Sequence, residues 1–257
     1  MPEISVLFFS VIVVLIAGFV RGYSGFGFSM IVVVTLSLIF TPAQIVPVVL
    51  LLEIAASVWL MPHVWQQVQW RFLGWLFLGV AVGTPVGTQL LSSVSVSPMR
   101  AAIAITVMIL SVMLWRGFRL KKMPGKGAII SGGMVSGVLN GSAAIGGPPV
   151  VLLFFSSPAS VEVSRASLIT FFLGTDIFAT AMCAVHGLIT IQKLLLAVVL
   201  FVPLVLGLYL GNRSFIQTPP EAFRKKVLIL LFVLSFFALM HSVLGKYLMF
   251  IKIIDIN

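Results

Sequence analysis

The sequence predicts an all-α polytopic membrane protein made of two inverted repeats, each a broken helical hairpin followed by three transmembrane helices. Three observations predict it. Hydrophobic residues make up 60% of the 257 and charged ones only 9%, more apolar surface than a water-soluble domain can hide. Two long apolar runs, 4–40 and 128–155, are each interrupted by a glycine-rich stretch: Gly22-Tyr23-Ser24-Gly25-Phe26-Gly27-Phe28 behind Arg21, and Asn140-Gly141-Ser142-Ala143-Ala144-Ile145-Gly146-Gly147-Pro148-Pro149. The excess of 16 Lys+Arg over 6 Asp+Glu, a net charge of +10, falls mostly at the ends of apolar segments. In a soluble chain that charge would suggest nucleic acid; here it is the pattern of cytoplasmic loops, and no nucleic-acid partner is expected.

Each element follows in order. At 1.5 Å per residue, 4–20 gives roughly 25 Å of helix and 28–40 roughly 20 Å. Neither fits comfortably across a hydrocarbon core of about 30 Å, so 4–40 reads as a segment that enters and returns. Thr41-Pro42-Ala43 turns the chain into a helix at 44–60 with Glu53 near its centre, and a polar stretch leads to 72–91. There Gly79, Gly83 and Gly87, four apart, put three glycines on one face for close helix approach. A helix at 99–115 ends the first repeat, 1–120, before the basic loop of Arg116, Arg119, Lys121, Lys122 and Lys126. The second repeat, 121–257, has its hairpin at 128–155 and helices at 163–184 (with Asp176), 194–211 and 227–244. Ser157-Pro158-Ala159 echoes Thr41-Pro42-Ala43. Gly18 and Gly22 fall onto Gly133 and Gly137 at one offset, Gly83 and Gly87 onto Gly207 and Gly211 at a slightly larger one.

Charge orients the repeats. With the loop around Arg119 cytoplasmic, returning hairpins put Arg71, Arg165, Arg213 and Arg224-Lys225-Lys226 inside and both termini outside. Treating each broken segment as a single crossing would leave the last three of these groups outside. The expected location is the cell (inner) membrane, with a homodimer as the candidate assembly.

Irregular backbone at membrane depth is tolerated only inside protein or beside a wet cavity, and matching breaks in two halves mark a transporter's binding site. Where a helix restarts, its first N–H groups are unpaired and its dipole is positive, which suits an anion. Gly22, Gly25, Phe26 and Gly27 in the first break, and Gly141, Gly146, Gly147 and Pro148 in the second, are therefore candidate substrate-binding positions, with Tyr23, Ser24, Asn140 and Ser142 adding polar side chains and Arg21 a fixed charge. Close helix packing is the competing reading for the glycines. Glu53 and Asp176 are the acids well inside spans and are candidates for proton coupling, since export driven by proton entry needs a titrating group in the pathway; a hydrogen-bonded structural pair is the alternative. Cys183 reads as core filler, and no metal or cofactor is expected.

The hairpin order, Gly25-Phe26-Gly27, Asn140-Gly141 and Gly146-Gly147-Pro148-Pro149 resemble the TauE/SafE sulfite exporter family, also called the sulfonate uptake permease family, over essentially the whole chain. The resemblance implies transport of a small sulfur oxyanion or sulfonate, commonly as export. An anion channel or an importer of a related anion is the nearest alternative. An intramembrane serine protease is disfavoured: Gly22-Tyr23-Ser24-Gly25 matches Gly-x-Ser-Gly, but a general base must reach the serine, and His63, His186 and His241 all fall at span ends.

Overall fold

A computed structural model describes residues 3–116, 124–155 and 160–215, together with 232 and 236. The chain is helical throughout these segments: α1 (Ile4–Ser24), α2 (Phe28–Leu36), α3 (Pro42–Leu60), α4 (Trp70–Ser93), α5 (Val96–Trp115), α6 (Lys126–Ala143), α7 (Gly147–Phe155), α8 (Val161–Val185) and α9 (Ile191–Phe215), with two 3₁₀ turns between α3 and α4. The expected helix 227–244 lies outside the described residues except at 232 and 236, as do Ser157-Pro158-Ala159 and most of the basic loop.

Six of these helices, α1, α3, α4, α5, α8 and α9, are long and apolar enough to cross a bilayer. This corrects the expectation that the first arm is too short: α1 continues through Gly22, Tyr23 and Ser24 to 21 residues, about 31 Å. By contrast α2 and α7 have nine residues each, about 13 Å, and cannot cross alone. The lipid-facing surfaces are plain in the exposure pattern. Ile4, Phe8, Ile12 and Ile16 line one face of α1, and Leu78, Val82, Val86 and Leu90 line one face of α4, all exposed. Apolar stripes of this extent are sustained in lipid, not in water.

Buried faces of these helices carry the glycines, and there two helix pairs meet at backbone distance: α1 with α9, and α4 with α6. A Cβ on Gly22 would stand 2.4 Å from the Leu208 carbonyl oxygen, and one on Gly211 2.1 Å from that of Phe19. Across the other pair a Cβ on Gly83 would stand 2.1 Å from the Met134 oxygen and one on Gly133 2.2 Å from that of Leu76. Only glycine admits such an approach. The broken helix of each half thus lies against the glycine face of a helix from the other half.

Element ends set a register between the halves. Position 144 follows 25 by 119 residues, and the same 119 separates 146 from 27 and 160 from 41; these are, in turn, the residues that end α1 and α6, precede α2 and α7, and cap α3 and α8. That register is one helical turn from the spacing of Gly18 and Gly22 against Gly133 and Gly137. It sets Arg21 opposite Asn140, Ser57 opposite Asp176 and Glu53 opposite Phe172, so the two intramembrane carboxyls do not hold equivalent places.

Candidate functional site

The first break is shorter than the glycine-rich stretch that signals it. Gly25, at φ 78°, closes α1 with its N–H on the Arg21 carbonyl at 2.8 Å, and Gly27, at φ 94°, precedes α2. Both lie in the left-handed region, where a side chain is strained. Ser24 does not face an open site: its Oγ lies 2.7 Å from the Val20 and Phe26 carbonyl oxygens and accepts the Phe26 N–H at 3.3 Å. Gly22 belongs to the α1–α9 contact, and Tyr23 and Phe26 are buried.

Arg21 is fully buried at the end of α1. It donates through Nη1 to the Gly25 carbonyl at 2.6 Å and through Nη2 to Ser57 Oγ at 2.9 Å, and it pairs with Glu53 Oε2 at 3.0 Å. Its guanidinium lies 4.4 Å from the centre of the Phe172 ring. A cation at a helix C-terminus meets the negative end of the dipole. Glu53 does the converse at the start of α2, where its Oε1 accepts the Ser29 N–H at 3.2 Å. The donors expected to await an anion at this helix start are therefore already partly engaged, by a carboxylate of the protein itself.

The second break is built without formal charge in the loop. Ala144, at φ 55°, closes α6 with its N–H on the Asn140 carbonyl at 2.8 Å. Asn140 spans the gap: Nδ2 donates to Asp176 Oδ1 at 2.8 Å and Oδ1 accepts the Gly146 N–H at 3.4 Å. Ser136 Oγ donates to the Gly146 carbonyl. Pro148 and Pro149 supply no N–H, so the head of α7 has fewer donors than that of α2. Gly141 is helical and packs on α4, where its Cβ would stand 2.5 Å from the Thr84 oxygen, and Ser142 Oγ is turned back to the Val138 carbonyl at 2.7 Å. Asp176 Oδ2 is buried and has no hydrogen-bond partner among the described residues.

Phe172 brings the breaks together. Its ring lies against Arg21 of the first, and a Cβ on Gly147 of the second would stand 2.9 Å from its Cζ. Sequence reasoning missed this residue, and nothing distinguishes it from other phenylalanines in an apolar span. It also missed Arg165, counted as a loop charge. Arg165 is only 7% exposed, and its Nη2 donates to the Gly22 carbonyl at 2.7 Å and to Asn212 Oδ1 at 2.9 Å. α8 begins four residues before it, at Val161, which removes Arg165 from the loop charges that orient the chain. A signal existed: Arg165 stands inside an apolar span, as Arg21 does. No group of three His, Cys, Asp or Glu residues suited to a metal occurs among the described residues.

Comparison with known proteins gives the family. The sequence profile of a family described as "Sulfite exporter TauE/SafE" matches residues 10–238. A protein of Cupriavidus necator named "Probable sulfite/organosulfonate exporter TauE" is 29% identical over 199 residues, covering 74% of this chain and 77% of its own. No solved structure matches. The match spans both breaks and every described helix from residue 10 of α1 onward, so the chain belongs to the TauE/SafE sulfite exporter family and is a membrane transporter, not an enzyme.

Proposed function

We propose that this protein is a secondary transporter that exports a small sulfur oxyanion, sulfite or an organosulfonate, bound between the two helix breaks and coupled to proton movement. The observation that carries the reading is the convergence of both breaks on Phe172, with Arg21, Glu53, Arg165 and Asp176 all buried beside them. Charges at membrane depth are costly and are kept where a pathway needs them. An oxyanion leaving water loses a large hydration energy, which backbone N–H groups, Ser57 and the guanidinium of Arg21 can replace. The relative from Cupriavidus necator supplies the substrate class through its name.

The repeats are inverted in this reading, which puts both termini outside and the loop at 117–123 in the cytoplasm. Each pair of glycine-lined helices joins one half to the other, so in this reading α1 moves with α9 and α4 with α6, each pair as a unit. A homodimer is the assembly to test for by mass in detergent. The transport reading is tested by reconstituting purified protein into liposomes and following sulfite and ethanesulfonate flux with and without a pH gradient. Saturable flux, slower than a channel's and altered by the gradient, is expected. Flux of neither anion above protein-free liposomes would overturn the reading.

A further inference from the structure

We infer that the Glu53 carboxylate is a resident anion in the transport site, and that substrate and Glu53 compete for the same donors, so that the protein takes up a proton with each anion it binds. This rests on the transport reading above and gives its coupling a residue and a direction. Glu53 is 2% exposed and occupies the head of α2, with one oxygen on the Ser29 N–H and the other on Arg21. Those are the groups an incoming oxyanion would use. Arg21 Nε is also buried with no hydrogen-bond partner among the described residues, so the guanidinium has donor capacity that Glu53 and Ser57 do not use.

Local charge balance makes the exchange selective for proton uptake. Glu53 has Arg21 as its cation at ion-pair distance. An anion that takes Arg21 and the Ser29 N–H leaves the displaced Glu53 carboxylate buried beside no cation of its own, which is strongly unfavourable. Protonation of the displaced Glu53 removes that charge and leaves Arg21 to the anion. The charged groups that act on this cluster from neighbouring helices are Arg21 of α1 and Asp176 of α8, with Arg165 of α8 acting on Arg21. The other cations of packed helices are engaged or turned outward. Arg100 of α5 holds the Phe40 carbonyl, Lys193 of α9 the Leu188 carbonyl and Lys126 of α6 the Trp75 ring, while Arg71 of α4 and Arg213 of α9 are exposed. α2 carries no charge. The proton therefore travels with the anion, not against it as a drive by proton entry would require.

The test is equilibrium binding to the purified full chain in detergent. Ethanesulfonate is the main probe, because its charge does not change across the range, with sulfite in a parallel arm. Wild type is expected to bind ethanesulfonate more weakly as pH rises, by up to about tenfold per pH unit for one linked proton, and to take up protons from weakly buffered solution on binding. Glu53→Gln, whose amide oxygen can still accept from Ser29 but carries no charge, should bind with an affinity that does not depend on pH. Glu162→Gln, at the exposed start of α8, should keep the wild-type slope. The proton-uptake measurement on wild type decides the matter even if Glu53→Gln does not fold. Binding without proton uptake, or a slope that survives in Glu53→Gln, would overturn the inference. Binding of neither anion by wild type would remove the transport reading and this inference with it.

Discussion

The two helix breaks solve one problem with different chemistry. Each stops a helix with a left-handed residue, resumes it after two more, and must satisfy polar backbone away from water. The first does so with charge: Arg21 and Arg165 meet carbonyls at the end of α1, and Glu53 meets the start of α2. The second does so with neutral groups, Asn140 and Ser136, and keeps its carboxyl, Asp176, one hydrogen bond away. In the common register Arg21 stands where Asn140 does. That position, cation in one half and amide in the other, together with Glu53 standing opposite Phe172, separates a break suited to handling charge from one suited to holding geometry.

The two halves share the substitutions with the greatest consequence. Gly22→Val and Gly141→Val would each drive a side chain into backbone of the partner helix, with Cβ positions 2.4 and 2.5 Å from carbonyl oxygens. Both should abolish folded protein, seen as loss of a monodisperse peak in detergent, since neither backbone can yield without parting its helix pair. Equal tolerance of both would show that the pairs are looser than described.

The next effect separates the halves. Arg21→Ala leaves Glu53 buried beside an absent partner and should cost about 3–5 kcal/mol. Asn140→Ala loses one hydrogen bond to the Asp176 carboxyl and one to the Gly146 N–H and should cost about 1–3 kcal/mol. Thermal melting in detergent should rank them in that order. Replacing both ends of the ion pair, Arg21→Met with Glu53→Leu, should recover most of the lost stability, because a buried pair often contributes little beyond an apolar one of similar volume. Failure to recover would mean that Arg21 acts mainly on the Gly25 carbonyl.

The smallest effect sharpens the comparison of the two stops. Ala144 carries a side chain at φ 55° where the first break has Gly25. Ala144→Gly relieves the left-handed penalty at some cost in chain entropy and should stabilise by about 0.5–1 kcal/mol. Gly25→Ala should destabilise by more, since its Cβ would also stand 2.8 Å from Arg165 Cγ.

Much of this was legible in the sequence, and what was not has physical causes. Hydropathy and glycine spacing gave the helices and the existence of both breaks, because lipid forces every backbone group into a helix or a buried exception. The exact stops were not legible, because glycine serves close packing and left-handed caps alike; Gly22 and Gly141 do the first, Gly25 the second. Arg21 and Glu53 stood out as charges in apolar spans, but their pairing across 32 positions is a tertiary fact. Arg165 was concealed by its nearness to a predicted loop, and Phe172 by its ordinariness.

The charged break, not the neutral one, is expected to provide the affinity for the anion. Equilibrium binding of ethanesulfonate to the doubly substituted Arg21→Met, Glu53→Leu protein, compared with Asn140→Ala, tests it most directly, because the double substitution removes charge while keeping the fold. Loss of one charge-assisted contact of about 1.5–3 kcal/mol predicts an affinity roughly ten- to a hundredfold weaker in the double variant and a smaller loss in Asn140→Ala. A folded double variant that binds ethanesulfonate as tightly as wild type would contradict the claim and move the site away from the first break.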